Sequence, residues 1–388
     1  MGSMSENTKS LYADFNGSAP LNKKVKEFLL ERMATGTFSN PNSSHALGKK
    51  IMFAIEKSRR SLAKNINAKA NQIIFNSGAS EGITQVFHSV LADKPQDGRD
   101  IIVTTGIEHS CVVKCCAYYE KRGYRIIQVS SMQSGLIDIE ELKNIVDKNH
   151  EQIAFVTIMA ANNETGVIQP LKEITSICHQ HSLKVFSDTT QFIGKTKFDF
   201  QDSNLDFAVM SSHKIGAIIG SGALIAKDIN DLKPLIMGGG QEKGLRGGTQ
   251  NYIGIESMAV ALQDFQDSLH LLDQVAVERE QFEQRMQKKF PQIKIIGQEA
   301  PRLASTTMLS HPEFDGQLVQ QKLEDKKIYV TTSSACSDDE KEISKVLKSM
   351  GTDEQTARGV VRISFCCHVT KECYQHIENA LCDIFQKN

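Results

Sequence analysis

Short apolar runs alternate with stretches of helical spacing from about residue 72 to residue 226. Ile73-Ile74-Phe75, Ile101-Ile102-Val103 and the runs at 125–129, 154–159, 184–187 and 207–210 read as strands. They are close to continuously apolar, the pattern of strands buried on both faces. The stretch from Glu81 and the one over 171–181 have helical spacing and sit between such runs. This alternation predicts an α/β layer: a mainly parallel sheet covered by helices on both sides. After about Gly254 the rhythm changes. Two long helical stretches run to about Lys289, strands are expected at 293–296, 306–310 and 328–332, and helices at 316–326 and 371–386. That second part reads as a smaller α+β domain, with the boundary near residue 270.

A length of 388 residues fits two domains in one chain. With 45 Lys+Arg against 46 Asp+Glu the net charge is −1, which gives no basic excess for nucleic acid or an anionic membrane. The longest apolar run, near 215–225, falls short of the ~20 residues that span a bilayer. Met1-Gly2-Ser3-Met4 reads as an expression scar ahead of a second start, and no signal-peptide core follows it. Nine irregularly spaced cysteines then suggest reduced thiols in a cytoplasm rather than a disulfide framework.

Ligands of open α/β sheets sit at the carboxyl ends of the strands. Ser77-Gly78-Ala79-Ser80-Glu81 follows the first of these strands. Its backbone N–H groups and hydroxyls suit a phosphate, although a simple Ser cap explains it as well. Glu108-His109-Ser110, Asn162-Asn163-Glu164-Thr165-Gly166 and Asp188-Thr189-Thr190-Gln191 follow other strands, and each taken singly also reads as a turn or cap. Ser211-Ser212-His213-Lys214 tips the balance. Burying an ammonium is costly, and a Schiff base to pyridoxal phosphate (PLP) is the usual justification for such a lysine. That cofactor needs a carboxylate for its ring nitrogen, a phosphate cradle and a group against its ring. Asp188, the Ser80/Ser211/His213 group and His109 supply them in chain order.

With these motifs, and with Gly36-Thr37-Phe38-Ser39-Asn40-Pro41, Gly238-Gly239-Gly240-Gln241-Glu242, Arg246-Gly247-Gly248-Thr249 and Ser333-Ser334-Ala335-Cys336, the chain resembles the NifS/IscS-like cysteine desulfurases and their selenocysteine-lyase relatives. The resemblance runs from about Tyr12 to the last helix. It implies PLP fold type I, the aspartate-aminotransferase-like fold. The large PLP-binding domain would cover 21–270, and a small domain carrying the Cys336 loop would join 1–20 to 271–388. By resemblance Lys214 holds the cofactor and acts as base, Asp188 pairs with the ring nitrogen, and His109 stacks on the ring and moves protons. Ala79, Ser80, Ser211 and His213 match the phosphate cradle, while Asn163 and Gln191 lie near the phenolic oxygen and substrate. Asn40 and Asn163 are the expected substrate contacts, and Thr249 matches a residue reaching a neighbouring subunit's phosphate, which implies a homodimer. Cys336 matches the thiol that takes sulfur as a persulfide and passes it to a protein acceptor, for iron–sulfur assembly or tRNA/DNA thiolation. Asp338, Asp339 and Glu340 follow it and oppose its ionisation.

Three stretches depart from the family pattern. Arg362-Ile363-Ser364-Phe365-Cys366-Cys367-His368 aligns with Arg-x-Ser-x-Gly-Arg and puts Cys367 where the substrate-carboxylate Arg is expected. A thiol cannot act as a bidentate carboxylate clamp. Either Arg246, Arg358 or Arg362 substitutes, or the enzyme is a selenocysteine lyase or another C–S lyase, or it is a weakly active PLP-binding sulfur-carrier subunit. Asp14-Phe15-Asn16-Gly17-Ser18-Ala19-Pro20 and the glycine-rich stretch after Lys214 also diverge, and are expected to alter loop shape more than chemistry. Cys178-His179-Gln180-His181 looks metal-like, as does Cys366-Cys367-His368 with Cys373. Both read better as structural residues, and no metal is expected. The 238–248 stretch lacks a Walker lysine and is not a nucleotide loop.

Overall fold

The computed structural model of the chain describes residues 10–95, 98–332 and 343–386. In chain order the first elements are strand β1 (Leu11–Tyr12) and helices α1 (Lys23–Thr35) and α2 (Ala46–Asn65). The alternating part then runs β2 (Ile73–Asn76), α3 (Ala79–Val90), β3 (Ile101–Thr105), α4 (Ser110–Glu120), β4 (Arg125–Val129), α5 (Ile139–Asn149) and β5 (Ile153–Thr157). It continues through α6 (Leu171–His179), β6 (Val185–Asp188), α7 (Phe200–Ser203), β7 (Phe207–Ser211) and β8 (Gly222–Ala226).

These strands form a seven-stranded sheet in the order β2-β8-β7-β6-β5-β3-β4. Only β8 runs against the others, pairing antiparallel with β2 and β7. The apolar runs are continuous because each strand feeds two cores. Ile73, Phe75, Ile101, Val103, Val156, Val185 and Ala208 join one, while Ile74, Ile102, Phe155, Phe186 and Phe207 join the other. Alternate side chains of a strand point to opposite faces, so a sheet covered on both sides must be apolar throughout. Helices α3 and α4 supply Val86, Phe87 and Val112 to the second face. On the first, α8 (Tyr252–Asp267) packs against α1 and α2.

A 3-10 turn at Leu269–Leu271 separates α8 from α9 (Leu272–Lys289). Beyond it lie β9 (Lys294–Ile295), β10 (Thr306–Ser310), α10 (Gly316–Asp325) and β11 (Ile328–Tyr329). They are followed by α11 (Lys345–Ser349), α12 (Glu354–Arg358), β12 (Val360–Ser364) and α13 (Lys371–Phe385). Strands β12, β10 and β9 make an antiparallel sheet. Phe282, Leu309, Leu323, Val361, Tyr374 and Leu381 form a third core that also takes in Ala13. The N-terminus reaches it because β1 pairs parallel with β11, Leu11 opposite Ile328. Met308 and Leu347 belong to the first core, so packing is continuous between the two halves.

The long strands and helices expected from the sequence are present. Strand β12 and the short α11 and α12 carried no sequence signal strong enough to place them. The metal-like Cys178-His179-Gln180-His181 closes α6, with His179 Nε2 2.9 Å from Asp206 and His181 Nε2 3.1 Å from Asp147. Among the described residues no group of three or more His, Cys, Asp or Glu is placed to hold a metal ion. No described helix is long and apolar enough to cross a membrane.

Candidate active site

The carboxyl ends of β2, β3, β5, β6 and β7 open on one cavity of about 640 Å³. Strand β2 ends in the Gly78 turn, which starts α3. Gly78 has φ 152°, a conformation that a side chain disfavours, and no side chain caps the helix. The first N–H groups of α3 are therefore left at the wall formed by Ala79 and Ser80. Gly222 of β8 lies directly beneath, where a Cβ would meet Gly78 Cα at 2.6 Å. Ser211 ends β7 at the same wall, beside His213, whose Nδ1 is 3.1 Å from Ser18 Oγ. Burial, then the neighbouring Lys214 and Lys195, push the His213 imidazole down to about 4.

Lys214 leaves the 3-10 turn Ser212–Ile215 and donates to the carbonyls of Asn16 at 2.8 Å and Gly17 at 2.6 Å. The divergent 14–20 segment thus forms part of the wall, held by the Asn16 N–H donating to Ser364 Oγ at 3.0 Å. Asp188 ends β6 at 5% exposure and accepts the Thr190 N–H at 2.9 Å. His109 caps α4, its Nδ1 accepting the Cys111 N–H at 3.2 Å. Cys111 lines the cavity too, with its Sγ 2.8 Å from Ser80 Oγ. The paired His109 is raised and the Cys111 thiol lowered, each first by its contact with the other. Cys111 was not foreseen; its place at the second position of α4, just after the His109 cap, was the available signal.

Glu108 lies beneath these groups. Its Oε1 accepts the Met159 N–H at 2.7 Å and the Thr105 hydroxyl at 3.0 Å, while buried Oε2 has no partner among the described residues. Burial pushes this carboxyl up to about 8, with the Met159 bond opposing and the charge of Asp188 adding. Its folded-state value is raised, so its stabilising contribution is complete below the ordinary value of 4.5 and is lost as the pH rises towards 8. The slope in that window is at most about 1.4 kcal/mol per pH unit. Glu108→Gln is expected to flatten the stability profile there. Denaturant unfolding at several pH values checks this, and an unchanged slope rules it out.

Ala79, Ser80, His109, Asn163, Asp188, Gln191, Ser211, His213 and Lys214 all line this one cavity. Asn40 and Thr249 do not. Both are exposed, and the Asn40 side chain accepts the Asn42 N–H at 2.9 Å. Cys336 and the loop around it lie outside the described residues.

Position 367, where the family pattern places the carboxylate-binding Arg, does not line this cavity. Strand β12 ends at Ser364, so Cys367 lies in the turn before α13 and is absent from this cavity's wall. It lines a neighbouring cavity of about 500 Å³ beside Asp264, and burial pushes its thiol up to about 12. Arg362, within β12, reaches the cavity at 7% exposure. Its Nη1 donates to Asn163 O at 2.9 Å, its Nη2 to Asp14 Oδ1 at 2.5 Å, and its Nε is buried without a partner among the described residues. The other two arginines considered are engaged elsewhere, Arg246 with Glu81 at 2.9 Å and Arg358 with Glu354 at 2.7 Å.

The class-V aminotransferase family profile matches residues 11–376. The chain belongs to this family. A Rickettsia typhi protein named cysteine desulfurase IscS is 32% identical, the match covering 98% of this chain and 92% of that one. A solved NifS-like protein superposes with a TM-score of 0.87 at 30% identity, covering 97% of this chain and all of the other. A solved structure of SspA in complex with cysteine gives a TM-score of 0.79 at 27% identity, over 93% of this chain and all of that one. Class-V aminotransferases of fold type I are PLP enzymes, and the residues present fit that cofactor. An uncapped helix start with Ser80, Ser211 and His213 suits the phosphate, and the nearly buried Asp188 suits a protonated ring nitrogen.

Proposed function

We propose that this protein is a PLP-dependent cysteine desulfurase, converting L-cysteine to L-alanine and taking the sulfur as a persulfide on Cys336. The observation that carries the reading is the meeting, in one cavity, of Lys214, Asp188 and His109 with the buried, incompletely paired guanidinium of Arg362. A lysine and a carboxylate-binding arginine on one cavity wall describe a receptor for an α-amino acid. The full-length similarity to proteins named cysteine desulfurase selects cysteine among amino acids.

PLP bound here supplies the electron sink for the pair left when the α-proton departs. The residues do the rest. Arg362 orients the substrate carboxylate, with Asn163 beside it. The Lys214 amine takes the α-proton. Asp188 would hold the ring nitrogen protonated, and His109, whose value is raised first by its contact with Cys111, would give or accept protons at the ring face. Cys336 follows Thr331 by five residues, a reach of roughly 17 Å when extended. Thr331 itself pairs with Arg362, whose N–H donates to Thr331 O at 2.7 Å. Attack on the substrate sulfur is assigned to Cys336: an S–S bond forms as the substrate's Cβ–S bond breaks, and the electron pair of that bond stays with the carbon skeleton released as alanine.

The exposed Thr249 fits a homodimer in which it reaches a neighbouring subunit's phosphate, with a large domain over 21–270 and a small one joining 1–20 to 271–388. A protein sulfur acceptor and a cytoplasmic setting complete the reading, the latter fitting the eight described cysteines, all free thiols. The placement of Arg362 removes the reason to favour a feeble carrier subunit.

The test incubates PLP-loaded protein with cysteine and selenocysteine side by side and measures alanine. Alanine from cysteine is expected, and Cys336→Ala should keep the cofactor's visible band but lose most sulfide release. Protein that stays colourless with PLP, or full sulfide release from Cys336→Ala, overturns the reading. Alanine from selenocysteine only would assign a selenocysteine lyase.

A further inference from the structure

A second lysine lies behind the site. Lys195 Nζ is 2.6 Å from Gln191 Oε1, 2.7 Å from Asn16 Oδ1 and 3.5 Å from Phe15 O. Gln191 Nε2 in turn donates to Asn16 O at 2.8 Å, the same carbonyl that accepts from Lys214. Asn16 Nδ2 donates to Asn163 O at 3.2 Å and Thr306 Oγ1 at 3.1 Å. Lys195 therefore ends a hydrogen-bonded chain that runs through Gln191 and Asn16 to Lys214. Both lysines also line the neighbouring cavity of about 500 Å³.

We propose that Lys195 is a positioning residue: by holding Gln191 Oε1 and Asn16 Oδ1, it keeps the Gln191 N–H group turned to the cofactor and fixes the carbonyl that seats Lys214. An amide has one accepting end and one donating end. With Oε1 taken by the lysine, the NH2 end is left for Asn16 and for the oxygen on the cofactor ring beside which Gln191 is expected. Without Lys195 the amide is free to turn its oxygen there, oxygen against oxygen. The charged and titratable groups around Lys195 include Lys214, Arg362, Asp14, the Cys366 thiol and His213. Burial first, then Lys214 and Arg362, hold the amine well below the usual lysine range. This inference rests on the PLP-binding reading above and specifies how its lysine and amide are held.

The experiment uses the full chain and reads cofactor binding without substrate. Lys195→Met, Gln191→Ala and the double variant are compared for PLP affinity and for the pH midpoint of the bound cofactor's visible absorbance. Loss of one hydrogen bond to a charged oxygen is expected to weaken PLP binding about tenfold and raise the midpoint by about one pH unit. The double variant should move by clearly less than the sum of the two single shifts, because part of the Lys195 effect passes through Gln191. Full additivity, or a Lys195→Met protein with wild-type midpoint and affinity, overturns the inference. If Lys195→Met does not fold in thermal unfolding, Lys195→Gln carries the same comparison; its amide keeps one donor and should shift less. A wild-type protein that binds PLP but forms no alanine from cysteine sinks the desulfurase reading and leaves this inference standing. A wild-type protein that binds no PLP overturns both.

Discussion

Lys214→Ala is expected to lower alanine formation from cysteine by about 10⁴-fold or more while the protein still folds. Two functions are lost together: the covalent hold on the cofactor and the base that takes the α-proton, the latter alone contributing ~10²–10⁴-fold. Folding should survive because Lys214 lies at the cavity wall and its amine donates to loop carbonyls, those of Asn16 and Gly17, rather than into a core. Borohydride reduction followed by peptide mapping provides an independent check. In the wild type the cofactor's mass should attach to the peptide containing Lys214, and in the variant it should not. Attachment elsewhere, or substantial residual turnover, would show that another amine holds the cofactor.

The second large effect concerns Arg362. Arg362→Leu is expected to reduce kcat/KM for cysteine by ~10²–10⁴-fold, the cost of about 3–5 kcal/mol for breaking a buried charge pair. PLP affinity should change little, since the guanidinium faces Asn163 and Asp14 rather than the phosphate cradle. Arg362→Lys keeps a charge but not the planar fork, and should recover only part of the loss. Cys367→Arg, alone or added to Arg362→Leu, should restore nothing, because position 367 lies in the turn after β12 beside the neighbouring cavity. Steady-state kinetics on the four proteins decide between the positions. Rescue by Cys367→Arg would return the carboxylate site to 367.

Much of the site was legible in the sequence because its parts follow strands directly. Asp188 and Ser211 are the last residues of β6 and β7, Ala79 is the first of α3, and His109 caps α4. In a parallel sheet every such position faces the same edge, so locating the strands was enough to gather the residues. The same local logic failed at β12. Arg-x-Ser-x-x-Cys motif spacing placed two candidates five residues apart, at 362 and 367, but spacing does not say where the strand stops. Asn40 and Thr249 were expected from resemblance alone, and a single chain does not bring them to the cavity.

The sequence by itself determined the alternating strands and helices, the lysine, the carboxylate and the imidazole, since hydrophobic period and strand ends are local properties. Only the tertiary structure decided which arginine enters the cavity and what holds the lysines. Arg362 meets Asp14 across 348 residues of chain, and Lys195 meets Asn16 across 179. Those pairings depend on β1 joining β11, with the following residues reaching Ser364 of β12, so that the N-terminal segment is laid along the wall. A contact of that separation leaves no periodicity behind. It is set by how the two halves pack.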